Sequence, residues 1–268
     1  MTEPLRRRQN HPLWSIYEYF SMTMGLGFLA LLCLIWLPFA LLLHILLPRR
    51  IGQPVGRFLI MAGSRFYLRF LTIVCAFHFD LAELDSLRHD KPLLLAANHP
   101  SLLDVVMIVS RFPNMVCVMK AALMNNILFG SASRLARYIP NHAPLDVMLR
   151  ARKALRDGAH LLIFPEGTRT VHFPMDACNA STGLIAQRAQ APVQTLFIEY
   201  SSPYLGKAWS LGRPPQLPIY FRIRVGRRFA PPVDVAAFAG ELEACFRAEL
   251  SADPENSATP PLVQEVAP

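Results

Sequence analysis

Met22 to Leu47 is a run of 26 residues with no formal charge unless His44 is protonated. As a helix rising about 1.5 Å per residue it reaches roughly 39 Å, more than the ~30 Å hydrocarbon core of a bilayer. The pattern predicts a membrane helix over residues 21–47, behind a basic segment over 1–20. Pro38 interrupts the run, so a spanning helix and one that dips in and returns are both open. A cleaved signal peptide does not fit, because the run is too long and no small-residue cleavage site follows it. Residues 58–79 (FLIMAGSRFYLRFLTIVCAFHF) are apolar again, with Arg65 and Arg69 four apart on one helical face. Over 48–80 two readings stand: an interfacial helix with its arginines at the headgroups, or a buried helix whose arginines snorkel outward.

From about residue 81 the pattern changes to short apolar runs alternating with helical segments. LLLAAN (Leu93–Asn98), MVCVMK (Met115–Lys120) and HLLIFPEG (His160–Gly167) read as buried strands leading into loops. VQTLFIEY (Val193–Tyr200) and the alternating IYFRIRVGRRF (Ile219–Phe229) are further strands. Pro100 can open a helix. Pro144 to Asp157 reads as a helix with Leu145, Met148, Leu149 and Leu155 inward and Gly158 as its stop. Glu241 to Leu250 predicts a closing helix. The alternation implies an α/β domain over 81–250, a largely parallel sheet flanked by helices and preceded by the N-terminal membrane helix. Residues 251–268 (SADPENSATPPLVQEVAP) read as an unstructured tail.

Composition supports the membrane. Of 268 residues 53% are hydrophobic and 17% charged, against about 25% charged in ordinary soluble domains. A disordered polyelectrolyte is excluded. Five scattered cysteines (Cys33, Cys75, Cys117, Cys178, Cys245), odd in number and without a C-x-x-C pair, speak against a disulfide scaffold or structural zinc. The net charge is +8, and residues 1–80 supply +5 of it as eight arginines against Glu3, Glu18 and Asp80. That excess flanks the most apolar stretch and comes without stacking aromatic motifs. Anionic lipid headgroups are therefore the expected partner, and nucleic acid is not. Arg6, Arg7 and Arg8 precede the apolar run, whereas Arg49, Arg50, Arg57, Arg65 and Arg69 follow it. The bias favours a cytoplasmic C-terminal side.

Candidate chemistry lies in two segments. The chain has no G-x-S-x-G elbow, H-E-x-x-H, Walker loop or G-x-G-x-x-G. NHPSLLD (Asn98–Asp104) leaves a strand and enters a helix, where ligands of open α/β sheets sit. Asp104 is placed to reach back to one imidazole nitrogen of His99, leaving the other to take a proton from a hydroxyl. FPEGTRT (Phe164–Thr170) also leaves a buried strand. Pro165 and Gly167 shape its turn, while Glu166, Thr168 and Arg169 present a carboxylate, a hydroxyl and a guanidinium. Arginine is suited to forking onto phosphate; a salt bridge between Glu166 and Arg169 is the plainer alternative.

Together these segments resemble the glycerophospholipid acyltransferase family, the lysophosphatidate acyltransferase-like enzymes. In that family a His, four residues and an Asp form the catalytic dyad, and an F-P-E-G-T-R block binds the acceptor's phosphate. The resemblance covers roughly residues 70–230 and places the dyad at His99 and Asp104. It places the acceptor-binding block at Glu166, Gly167, Thr168 and Arg169. Lys120, at the end of its strand, is a candidate second phosphate contact. Two departures stand out: RYIPN (Arg137–Asn141) has Asn141 where the family often carries a phosphate-contacting arginine, and DACNASTG (Asp176–Gly183) lacks a usual basic residue before glycine. VMK, YIPN and SPYLGKAW (Ser202–Trp209) are similar to a bacterial subgroup that accompanies aryl polyene or polyketide-like lipid synthesis.

The resemblance implies transfer of an acyl chain from a thioester to a hydroxyl of a lysophospholipid such as 1-acylglycerol-3-phosphate, in phospholipid biosynthesis at the bacterial inner membrane. The donor is an acyl-coenzyme A or an acyl carrier protein thioester, with no cofactor and no metal. Acylation of a specialised acceptor, or thioester hydrolysis, are the alternatives.

Overall fold

The computed structural model describes residues 12–251 except Leu211. Seven strands form one sheet: β1 (Phe77–Asp80), β2 (Leu94–Ala97), β3 (Met115–Met119), β4 (Ile139–Pro140), β5 (His160–Ile163), β6 (Val193–Tyr200) and β7 (Ile219–Phe229). Their spatial order is β1-β7-β6-β2-β5-β3-β4. All pairs are parallel except β6 with β7. Burial follows position in the sheet. β2 and β5 are buried at every residue, as a strand covered on both faces must be. β7 lies one strand from the edge, and its first four residues alternate, burying Ile219 and Phe221 and exposing Tyr220 and Arg222.

Helices cover both faces. They are α1 (Pro12–Leu46), α2 (Arg49–Val74), α3 (Leu103–Val109), α4 (Ala121–Met124), α5 (Gly130–Ala136), α6 (Pro144–Arg156), α7 (Ser181–Ala189) and α8 (Val235–Ser251). The crossover β2–α3–β3 runs one way along the sheet, and β4–α6–β5 and β5–α7–β6 run the other. Right-handed connections therefore put α3 on one face and α6 and α7 on the opposite one. Contacts agree: α1 and α2 pack with each other and with α5, α2 also with α3, and α6, α7 and α8 form the second layer.

The α1–α2 hairpin differs from its expected bounds. The helix expected at 21–47 begins at Pro12 and passes through Pro38 unbroken, so residues 12–20 are helix rather than a separate basic segment. Arg6 to Arg8 and the tail beyond Ser251 lie outside the described residues. At 35 residues α1 is roughly 52 Å long, with a mean hydropathy of 2.6 in its most apolar window and almost none of that window buried. It is long and apolar enough to cross a membrane. Its N-terminal turns are tied to the domain: Trp14 Nε1 donates to Leu217 O (3.2 Å), Leu217 N to Glu18 Oε1 (3.0 Å), and Tyr17 Oη to Val74 O (2.8 Å).

The segment expected as one helix to residue 80 stops at Val74. Phe77–Asp80 instead pairs with Ile219–Arg222, and Phe77 and Phe79 stack on Phe221. Nor do Arg65 and Arg69 both face outward: Arg69 is exposed and Arg65 is not, and a third arginine of α2 turns inward as well. Arg65 Nε donates to Ser110 O (2.6 Å), and buried Arg57 bonds Ala136 O (3.1 Å) and Asn114 Oδ1 (2.8 Å). Glycine lets α2 approach α5 closely, because a Cβ on Gly56 would stand 2.8 Å from Leu135 Cγ.

In α6 the expected inward face holds only in part. Leu155 is buried as expected, but Leu145 and Leu149 are exposed, and Ala151 and Ala154 are buried in their stead. Small residues let this helix lie close to the sheet, so the bulkier leucines on its other side are left outside.

Candidate active site

The parallel strands β2, β5 and β3 release their chains at one edge of the sheet, which brings His99, the Phe164–Thr170 loop and Lys120 to that edge. Asn98 fixes the exit of β2: its Nδ2 donates to Ile198 O (2.9 Å), and Ile198 N donates to its Oδ1 (2.8 Å). The chain then turns into α3 at Leu103, three residues later than Pro100 suggests. Ser101 Oγ accepts from Leu103 N (3.1 Å) and Asp104 Oδ2 accepts from Ser101 N (2.8 Å), a reciprocal pair of the capping-box kind. The cap thus aims Asp104 backward.

Oδ2 of Asp104 also lies 2.8 Å from His99 Nδ1. The Asp104 side chain is wholly buried, while 14% of the His99 side chain is exposed. Burial pushes the Asp104 carboxyl above its usual range, and the His99 hydrogen bond and charge hold it back. Nδ1–H donating to the carboxylate leaves Nε2 as the acceptor. The ring is fixed from its face as well, stacked on Phe164 at 3.8 Å between centroids and 14° between planes.

The second loop is stitched to the first. Glu166 Oε1 accepts from His99 N (2.9 Å) and Thr170 Oγ1 (2.8 Å), and its Oε2 accepts from Asp176 N (3.0 Å). Thr170 N returns a bond to His99 O (2.8 Å). Both Glu166 oxygens are therefore occupied within the protein, and the residue positions His99. Burial raises its carboxyl above the usual range, opposed by the bonds from Asp176, Thr170 and His99. Gly167 makes the turn at φ +71°, where a side chain would also press on Asn179 Nδ2 at 3.1 Å. Thr168 sits half-buried beside it.

No salt bridge joins Glu166 to Arg169 among the described residues. Arg169 Nη1 instead donates to Leu205 O (2.9 Å) and Gly206 O (2.7 Å), and the charge of Asp104 acts on it against the downward push of burial. Lys120 is exposed at the start of α4. Asn141 bonds the same corner, its Oδ1 accepting from Ala121 N (3.2 Å) and its N donating to Met119 O (2.9 Å). Burial drives the Cys117 and Cys178 thiols up to about 12, so neither supplies a thiolate near neutral pH. Among the described residues no group of three His, Cys, Asp or Glu is gathered as metal ligands. Asn98, Thr170 and Asp176 are the residues that motif reading missed. Asn98 and Thr170 are end residues of the two segments and were given no role there, so their place in the segments was the available signal; Asp176 opens DACNASTG, and nothing in that run pointed to a bond with Glu166.

This arrangement is a carboxylate-oriented imidazole at the mouth of an α/β sheet, able to accept a proton from an acceptor hydroxyl. The acyltransferase family model matches residues 78–199, from β1 to β6 and including both loops. That stretch is an acyltransferase domain, and the protein is an acyltransferase. Among solved structures it is similar to the 1-acyl-sn-glycerophosphate (LPA) acyltransferase PlsC from Thermotoga maritima. The two share 18% identity over 89% of this chain and 95% of that one, with a TM-score of 0.59, a likeness of fold. No curated protein matches the chain.

Proposed function

We propose that the protein is a membrane-bound O-acyltransferase that moves an acyl chain from a coenzyme A or acyl carrier protein thioester to the hydroxyl of a lysophospholipid such as 1-acylglycerol-3-phosphate. The His99–Asp104 pair carries this reading. Nε2 of His99 removes the hydroxyl proton as the oxygen attacks the thioester carbonyl, and Asp104 stabilises the imidazolium that forms. Collapse of the tetrahedral intermediate breaks the C–S bond. The thiolate leaves and takes the proton from His99, giving ester and thiol with no covalent acyl-enzyme. No step calls for a metal or organic cofactor. The exposed apolar length of α1 and the exposed Arg49, Arg50 and Arg69 of α2 suit a lipid surface that holds both substrates, on the cytoplasmic side of a bacterial inner membrane.

The test is acyl transfer to 1-acylglycerol-3-phosphate from both thioesters, comparing wild type with His99→Ala. Diacyl product from wild type alone is expected, with membrane binding equal in both, since dyad and hairpin are separate segments. Thiol release without ester product means hydrolysis. No turnover by folded protein means a specialised acceptor, such as one from an aryl polyene-like pathway.

A further inference from the structure

We infer that Asp176 is a positioning residue for His99: its carboxylate closes the 171–176 segment, so that both ends of that segment hold the His99 main chain in place. The inference rests on the acyl-transfer reading above for its effect on turnover, and deepens it. The closing bonds go to the two residues that follow Thr170. Oδ2 of Asp176 accepts from Val171 N (2.8 Å), while Oδ1 accepts from His172 N (3.2 Å) and lies 2.7 Å from His172 Nδ1. Val171, His172 and Phe173 are exposed, so burial of their side chains does not fix this stretch. The Asp176 carboxylate turns it back.

Each end of the closed segment reaches His99. At one end Thr170 N donates to His99 O (2.8 Å), and Thr170 Oγ1 accepts from His99 N (3.3 Å) and donates to Glu166 Oε1 (2.8 Å). At the other end Asp176 N donates to Glu166 Oε2 (3.0 Å), the one bond of that oxygen among the described residues. Glu166 Oε1 in turn accepts from His99 N (2.9 Å). His99 is thus gripped at its amide and at its carbonyl. Met175 is wholly buried and moors the far end in the core, and the Asp176 carboxylate carries that anchorage across to Val171. Val171 shares a planar peptide unit with Thr170, so a displacement of one is passed to the other.

Ionisation strengthens the closure. Burial pushes the Asp176 carboxyl up, but the bonds from Val171 and His172 outweigh it and hold the group below its usual range. The N–H bonds it accepts are therefore charge-assisted near neutral pH. Its carboxylate bonds Val171 and His172 rather than the imidazole or Asp104, so it acts on the reaction through Thr170 and Glu166. A reacting group misplaced by about 1 Å costs on the order of 10²-fold in rate, and Nε2 of His99 moves with the main chain that carries it.

The experiment measures amide hydrogen exchange residue by residue in the full chain in detergent micelles, with Asp176→Ala and Asp176→Asn beside wild type. Expected in Asp176→Ala is a rise of about tenfold or more at the His99 amide with the β2 amides unchanged, which a general loss of stability would not give. Asp176→Asn keeps an acceptor for only one of the two main-chain amides. A rise of about threefold is expected there, enough for the comparison if the alanine variant does not fold. In turnover, kcat per folded enzyme falls about 10–100-fold in Asp176→Ala with the acceptor KM within about twofold. The fall shrinks to under about threefold when Glu166→Gln is already present, because both substitutions break the same tie. An unmoved His99 amide, exchange that rises equally in β2, or effects of the two substitutions that multiply in full, overturns the inference alone. Faster exchange confined to His99, in a protein whose wild type acylates no lysophospholipid, would sink the proposed reaction and leave the tie through Asp176 standing.

Discussion

Asp104→Asn separates what the carboxylate does by charge from what it does by geometry. Oδ2 accepts two donors, His99 Nδ1–H and Ser101 N–H, each at 2.8 Å. Oδ1 is buried without a partner. An asparagine amide oxygen placed at Oδ2 keeps both bonds and the imidazole tautomer, while the reverse orientation sets an NH₂ against Ser101 N–H. The first orientation wins, so the substitution removes charge and leaves the ring in place. With charge centres about 4 Å apart and an effective dielectric near 20, the lost attraction for imidazolium is about 4 kcal/mol. Screening at the partly exposed His99 trims this to about 3–4 kcal/mol, or roughly 10²–10³-fold in kcat. That is less than the roughly 10⁴-fold seen when the same exchange in a Ser-His-Asp triad traps the wrong tautomer. Thermal stability should fall little, because burial already disfavours the charged form of Asp104. Thiol release and ester formation, measured with saturating acceptor beside a melting curve, check both parts. A loss under tenfold, or one confined to KM, would refute the argument.

Glu166→Gln keeps an acceptor for His99 N and Thr170 Oγ1 but sets its NH₂ against Asp176 N, a cost of about 1–3 kcal/mol readable in urea unfolding. Glu166 titrates above its ordinary value because it is buried; its folded form holds the proton more tightly, so wild-type stability is greatest below the ordinary carboxylate range and declines as pH rises through the raised value. The gap between wild type and the Gln variant should therefore narrow as pH rises, and a widening gap would show that the carboxylate is the favoured form. Gly56→Val forces a side chain into Leu135 and the Ala136 backbone and should cost about 1–3 kcal/mol, whereas Gly63→Ala, with open space around it, should cost nothing; equal melting temperatures for the two would mean that the hairpin does not pack on α5.

The candidate pair was legible because it is local: His99 and Asp104 are brought together by a single capped turn. Strands β2 and β5 were legible because burial on both faces leaves an unbroken apolar signature. Phe77–Asp80 was not, since its aromatic residues continue an apolar helix without a break and only pairing with β7 makes them a strand. Leu145 and Leu149 misled because helical spacing names a face without saying whether bulk or smallness is wanted against the sheet. The bond of Arg169 to Leu205 and Gly206 joins positions with no shared motif, and no one-dimensional pattern announces it.

The root of α1 has a practical consequence for anyone trimming the protein to make it tractable. Trp14 and Glu18 grip Leu217 from both its carbonyl and its amide, and Leu217 is the last residue but one of the connection that runs from Ser201 to β7. That connection carries Leu205 and Gly206, bonded near its start to Arg169 and Leu102 and joined near its end to the helix that would be cut away. A fragment starting at Arg49 would keep its dyad and the ties of Leu205 and Gly206 to Arg169 and Leu102, but would lose the anchor at Leu217. The greasy helix that looks like a removable handle is also an anchor of the connection that packs beside the site.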